Sequence, residues 1–200
     1  MIFDWSFPIF GVAAFLLGAC IGSFLNVAIY RLPRGLSVNS PKRSFCPYCK
    51  KQIPMWRNIP LLTWLLQKGK CAECEAPIAL RYFMVELLTA LVWLACWYLF
   101  SNPIEAIFFM LLSAILIAIS AVDIELMLIP RQLTIAGTLL GLTMAGLHPE
   151  FLGETIWWRG LLKSLYGFAF GWVGLWLVVL FGKLAFGKRS FEFEEQTDWM

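Results

Sequence analysis

The chain has 200 residues, of which 60% are hydrophobic and 14% are charged, and its mean hydropathy is +0.74. This composition excludes an ordinary soluble domain, in which about a quarter of the residues are charged. The formal net charge is only +3, so no overall charge directs the chain to nucleic acid. The composition predicts an all-α polytopic membrane protein.

Five apolar stretches predict transmembrane helices, each near the ~20 residues that a bilayer core requires. The first stretch is too long for a signal peptide, and no basic residue precedes it. Within it, Gly18 and Gly22 form a small-xxx-small pattern that lets a second helix approach closely. The five stretches cover residues 7–30, 83–100, 104–122, 133–147 and 164–182.

Two C-x2-C pairs, Cys46 with Cys49 and Cys71 with Cys74, lie in the long loop after the first span. Two such pairs complete a tetrahedral site of four sulfurs for Zn²⁺. The 21 residues between the pairs slightly exceed the usual spacing but are compatible with a zinc-ribbon-like loop. The alternatives are two disulfides or four unrelated buried thiols. A reduced cytoplasmic location favours zinc.

The compartment follows from the distribution of charge. Residues 31–81 carry 10 of the 16 basic residues and only two acidic ones, Glu73 and Glu75. The positive-inside rule therefore places this loop in the cytoplasm and the N-terminus on the other side of the membrane. Nucleic acid is not expected as a partner, because the basic segment lies tightly between two membrane spans.

The predicted spans and the loop divide the chain into four segments. They are a first transmembrane helix (1–30), a cytoplasmic zinc-binding loop domain (31–82), transmembrane helices two to five (83–189), and the start of a polar tail or insertion (190–200).

Three acidic residues lie near span ends, and one of them is a candidate for function. Asp123 ends the third apolar stretch, and an ionisable group there is a functional candidate by default. The alternative is that Asp123 merely ends the helix at the interface. We expect Glu125 to face lipid headgroups, and we expect Glu86 to have a structural role, with Arg81 as its partner.

An ordered series of motifs runs from the first span to the fourth. It comprises residues 22–33 (GSFLNVAIYRLP), both cysteine pairs, 58–60, 64–65, 69–71, 81–82, 85–86, 123–130 and 133–134. Together these motifs resemble the bacterial prepilin peptidases, which are type IV prepilin leader peptidases and N-methyltransferases of the GxGD-type aspartyl protease class. The resemblance covers roughly residues 11 to 147. Arg131 departs from it, because the family usually has an aspartate after the proline.

The resemblance implies a membrane aspartyl endopeptidase that cleaves leader peptides of type IV prepilins or of type II secretion pseudopilins. It makes Asp123 the first catalytic aspartate and implies methylation of the new N-terminus with S-adenosylmethionine. The family's second catalytic aspartate follows Gly-x-Gly, whereas none of Asp4, Asp123 and Asp198 does. We therefore expect the chain to be a truncated N-terminal portion that lacks peptidase activity alone.

Two other functions remain open from the sequence. One is a non-proteolytic membrane adaptor whose zinc loop binds a cytoplasmic partner. The other is a methyltransferase-only relative. Coding sequence for Gly-x-Gly-Asp after codon 200 would favour the peptidase over both.

Overall fold

The computed structural model describes residues 8–40, 44–46, 48–54 and 57–186. The predicted polar tail, 190–200, lies outside these residues. Apart from two isolated β-bridges, the regular structure of the described part is helical. The helices are α1 (Pro8–Arg31), α2 (Leu62–Leu66), α3 (Leu80–Leu99), α4 (Pro103–Leu126), α5 (Arg131–Leu147) and α6 (Trp157–Phe186).

The all-α membrane architecture predicted from composition is confirmed. Four helices of the described part, α1, α3, α4 and α6, are long and apolar enough to cross a bilayer. The fourth predicted span is α5, which has 17 residues. At 1.5 Å per residue it is about 25 Å long, shorter than a hydrocarbon core of about 30 Å. Its polar start, Arg131 and Gln132, shortens the apolar stretch further.

The described residues form two compact units, divided after Gly137. In the first unit α1, α3 and α4 pack around one core. Small and β-branched side chains dominate that core, which lets the three helices approach closely. Its buried members include Ala14, Leu25, Ile29, Val85, Trp93, Ala106, Met110, Ala114, Ala118 and Val122. In the second unit, the absence of a side chain at Gly160 lets α6 approach the carbonyl of Ala145 and the ring of Pro149.

The contact between α1 and α3 depends on two glycines. A Cβ atom at Gly18 would lie 2.8 Å from the Cα of Ala90. A Cβ atom at Gly22 would lie 2.7 Å from the Cα of Glu86. Both distances are too short for real carbon atoms, so only glycine fits where the two backbones cross. The predicted small-xxx-small face is confirmed, and its partner is α3.

We expect Gly18→Val to separate α1 from α3, because the added side chain would clash with backbone atoms of α3. Overpacking of this kind costs about 1–3 kcal/mol, which thermal unfolding in detergent would detect as a lower midpoint. Gly141→Ala is the matched control, because nothing lies within 4 Å of a Cβ atom there. A Gly18→Val protein that unfolds at the wild-type temperature would contradict the packing described.

Candidate metal centre and catalytic residues

Each C-x2-C pair forms a tight knuckle with the same backbone hydrogen bonds. In the first knuckle, Lys50 N–H donates to the Cys46 carbonyl at 2.9 Å, and Cys46 N–H donates to the Lys51 carbonyl at 3.0 Å. The second knuckle repeats both bonds in register, from Glu75 to Cys71 at 2.9 Å and from Cys71 to Ala76 at 2.8 Å.

The residue after each pair has a left-handed backbone, with φ of 58° at both Lys50 and Glu75. This turn directs the two sulfurs of a knuckle towards the same point. An isolated antiparallel bridge then closes each knuckle, Phe45 with Gln52 and Lys70 with Pro77. The two knuckles are therefore geometric copies, although little beyond the cysteines themselves repeats in their sequences.

The four cysteine sulfurs come together as one cluster. All four lie within 4.8 Å of one another, and the sulfurs of Cys46 and Cys74 are 3.8 Å apart. Zn–S bonds of about 2.3 Å in a tetrahedron place sulfurs about 3.8 Å apart. A disulfide would require about 2.05 Å, and the described cysteines are all free thiols. The donor set therefore fits a tetrahedral thiophilic ion.

The thiols of the cluster differ in pKa. Backbone N–H groups of Glu73 and Cys74 lower the pKa of Cys71 to about 7. At Cys74 the N–H of Ala76 acts in the same direction, but desolvation and the neighbouring thiols outweigh it and raise the pKa to about 11. Adjacent thiols resist ionising together. A bound cation would supply the charge that lets all four become thiolates.

Two ion pairs join the two knuckles. The Glu73 carboxylate accepts from Lys51 Nζ at 2.6 Å and from Arg57 Nη1 at 2.9 Å. The ammonium of Lys51, and then the guanidinium of Arg57, lower the pKa of Glu73. Because these side chains are solvent-exposed, the two ion pairs add little to the free energy of unfolding. Their main effect is to orient the two knuckles.

The cysteine loop is fastened to the helix bundle by α2. The rings of Trp64 on α2 and Phe83 on α3 lie 5.0 Å apart, and Trp64 packs against the left-handed turn at Gly69, where φ is 67°. Just before α2, Leu61 N–H donates to the Glu86 carboxylate at 2.7 Å. The predicted pairing of Glu86 with Arg81 is therefore wrong.

Leu61 has φ 63° and ψ −52°. The N–H of Leu62 donates to the Pro60 carbonyl at 2.6 Å, which makes Leu61 the centre of a classic γ-turn, a rare and strained conformation. Such backbone strain costs about 1–3 kcal/mol and persists where the surrounding structure enforces it. Here the γ-turn directs the Leu61 N–H at Glu86.

Arg81, at the start of α3, instead forms an ion pair with Glu125 near the end of α4. Glu125, which we expect to face lipid headgroups, is exposed and pairs with Arg81, because α4 stays helical as far as Leu126 and this turns Glu125 towards α3. No local signal predicts this pair, because 44 residues separate the partners.

Asp123 lies in the last turn of α4, and its side chain is exposed. The helix stops just beyond it, since Met127 adopts φ 52° and its N–H donates to the Asp123 carbonyl at 2.8 Å. Asp4 and Asp198 lie outside the described residues. Asp123 is thus the one aspartate in the described part of the chain, and the structure brings no second aspartate to it there.

Comparison with known proteins agrees with this arrangement. The model of the Bacterial Peptidase A24 N-terminal domain matches residues 16–100, from α1 through the cysteine loop to the end of α3. A prepilin leader peptidase/N-methyltransferase of Dichelobacter nodosus is 32% identical, and the match covers 88% of this chain and 68% of that protein. The chain belongs to the prepilin leader peptidase/N-methyltransferase family. The resemblance inferred from the motifs is therefore confirmed.

Two further relatives with the same name show how far the family match extends. The Aeromonas hydrophila protein is 36% identical, covering 88% of this chain and 66% of its own length. The Myxococcus xanthus protein is 40% identical, covering 69% of this chain and 41% of its own length. The chain thus spans between two fifths and about two thirds of these family members. No solved structure matches it.

Proposed function

We propose that the chain is part of a membrane aspartyl endopeptidase that cleaves the leader peptides of type IV prepilins or pseudopilins and methylates the new N-terminus. The observation that carries the proposal is the match of about nine tenths of the chain to named prepilin leader peptidase/N-methyltransferases. The chain supplies Asp123 as one catalytic aspartate, and the second comes from outside the described residues.

In this proposal Asp123 acts on a water molecule at the scissile peptide bond. Hydrolysis without a covalent intermediate needs one carboxylate as base and one carboxylic acid as proton donor. Two adjacent carboxyls meet both needs, because they share one proton and cannot both ionise. The exposed position of Asp123 on a membrane-spanning helix leaves its carboxylate accessible to such a partner. The Arg81–Glu125 pair ties this end of α4 to α3.

The four cysteines bind one structural Zn²⁺ in this account, with Cys46, Cys49, Cys71 and Cys74 as its ligands. The ion fixes the two knuckles relative to each other, and residues 31–82 act as a zinc-binding domain on the membrane surface. The sulfur geometry supports this assignment. With all four positions filled by protein, the ion has a structural and not a catalytic role.

Methyl transfer follows from the family name and uses S-adenosylmethionine as the methyl donor in this proposal. The donor would supply an activated methyl group to the amine that cleavage exposes. We place methyl transfer at the cysteine loop, which packs against the ends of α1 and α3.

The proposed location is the bacterial inner membrane, with the cysteine loop in the cytoplasm and the start of α1 at the periplasmic side. The concentration of basic residues in 31–81 supports this orientation. We expect a cysteine introduced at Asn39 to react only with a permeant thiol reagent, and one at Ser101 to react also with an impermeant reagent. The same labelling at Glu150 shows whether the short helix α5 crosses the bilayer. Periplasmic labelling of Asn39 would contradict the orientation.

Complementation tests the proposed activity in cells. The chain is joined to the part of the Aeromonas hydrophila relative beyond the match, and this completed protein is expressed in an Aeromonas hydrophila strain without its own enzyme. We expect immunoblots to show mature pilin. Unprocessed pilin alongside a well-expressed, membrane-inserted completed protein would count against the function, and would leave a non-proteolytic adaptor or a methyltransferase-only protein.

A further inference from the structure

The short helix α2 has a packed face and an exposed apolar face. On the packed side, the Trp64 ring lies 5.0 Å from the ring of Phe83, and the Trp64 indole N–H donates to the Ile78 carbonyl at 3.4 Å. The other side carries leucines at steps of three and four residues, which places them on one face of the helix. This leucine face, each member of which is about half exposed or more, consists of Leu62, Leu65 and Leu66. Apolar side chains grouped on a surface mark an interaction site.

Contacts with α3 and α1 fix the level of α2 along the helix bundle. Leu61 N–H, just before α2, donates to the carboxylate of Glu86, in the second turn of α3. Side chains on a helix tilt towards its N-terminus, so this contact lies inside the start of α3. Glu86 is level with Gly22, where a Cβ atom would lie 2.7 Å from the Glu86 Cα, and α1 continues from there to Arg31. Helix α2 therefore lies beside the membrane-spanning helices and not beyond their ends.

At this level the neighbouring helices also present apolar side chains outwards. Leu80 and Met84 on α3, and Phe24 on α1, are each at least half exposed. Because α1 and α3 are long and apolar enough to cross a bilayer, their outward apolar residues face lipid. The leucine face thus lies at the same level as lipid-facing residues of both helices.

Two lysines follow α2 directly. Lys68 and Lys70 are exposed, and neither forms an ion pair with an acidic residue in the described part of the chain. A lysine can lay its apolar stem along an apolar surface while its ammonium stays at the polar boundary, which in a bilayer is where the lipid phosphates lie. An apolar face flanked by lysines is typical of a helix that lies in the membrane interface.

We propose that α2 is an interfacial anchor, whose leucine face inserts into the lipid bilayer and whose two following lysines contact the phosphates of lipid headgroups. A helix of this kind buries its apolar face about 5–10 Å into the boundary between headgroups and acyl chains. Through Trp64 and the turn at Gly69, the anchor holds the cysteine loop on the membrane surface. This inference is independent of peptidase activity, because it uses only the position of α2 beside membrane-spanning helices. The other occupant of the leucine face would be an apolar helix of a protein partner, such as a prepilin.

Photo-cross-linking of the purified, zinc-loaded 200-residue chain in phospholipid nanodiscs tests the anchor. The photoreactive residue p-benzoylphenylalanine replaces Leu65 or Leu66, and mass spectrometry after irradiation detects lipid adducts. Leu88, exposed on α3 within the span, is the control for a lipid-facing position. Glu75, an exposed charged residue of the second knuckle, is the control for an aqueous position. We expect lipid adducts at Leu65 and Leu66, as at Leu88, and none at Glu75.

The two leucine positions are probed separately, in protein with the zinc content and helix content of wild type, so one misfolded variant leaves the other to decide. Adducts at Leu88 without adducts at either leucine of α2 would overturn the anchor, as would equal yields at Glu75. A purified prepilin added to the nanodiscs tests the other occupant. Lipid adducts at Leu65 that persist would support the anchor, whereas their replacement by prepilin adducts would also overturn it.

Discussion

Asp123→Asn should abolish leader cleavage by the completed protein, reducing the rate by at least about 10²–10⁴-fold, the usual contribution of a positioned acid or base. The amide keeps the shape of the side chain but cannot accept the proton of the attacking water. Because the side chain is exposed at the end of α4, the change removes no packing contact. The measurement is the rate of leader release from a purified prepilin in proteoliposomes.

Two controls make this result specific. Glu105→Gln neutralises a carboxylate in the first turn of the same helix and should leave cleavage unchanged. Zinc content and thermal midpoint should match wild type in both variants. Full cleavage by a correctly folded Asp123→Asn protein would remove Asp123 from the catalytic pair.

Replacing one of the four clustered cysteines should have the largest structural effect in the loop that carries them. Cys71→Ser leaves three sulfurs, and we expect bound zinc to fall from one ion per chain to near zero. Structural zinc contributes about 10–16 kcal/mol in small zinc-finger peptides, so its loss should unfold the two knuckles. Helices α1, α3 and α4 should persist, since their shared core contains none of the four clustered cysteines. Elemental analysis and amide hydrogen exchange over residues 44–78 measure the two effects.

Cys20→Ser is the matched control, because it removes a thiol from α1 that lies outside the cluster. We expect normal zinc content and normal exchange in the loop. Removing the metal from wild type with a chelator should reproduce the behaviour of Cys71→Ser. Wild-type zinc content in Cys71→Ser, or equal zinc loss in Cys20→Ser, would contradict the four-cysteine site.

The parts of this fold that sequence could predict are those with local or periodic signals. Long apolar stretches predicted helices α1, α3, α4 and α6. The spacing of Gly18 and Gly22 predicted a close helix contact, because a four-residue step returns to the same helix face. The C-x2-C pairs predicted that four sulfurs meet, since each pair presents two sulfurs from one turn.

The contacts that sequence missed are long-range and depend on how elements face one another. Arg81 and Glu86 are five residues apart on α3, and a step of five residues turns them to different faces of the helix. In the structure, the γ-turn at Leu61 brings its N–H to Glu86, and α4 brings Glu125 to Arg81. Of the five predicted spans, α5 is the one that length alone does not support, because its 17 residues are few for a bilayer core.

Mass spectrometry of a prepilin treated with the completed protein tests the central claim most directly. The purified protein, reconstituted in liposomes with zinc and S-adenosylmethionine, should release the leader and leave a mature chain that carries one added methyl group. The Asp123→Asn protein should leave the same prepilin intact. An unchanged prepilin after incubation with folded, zinc-loaded completed protein would contradict the account.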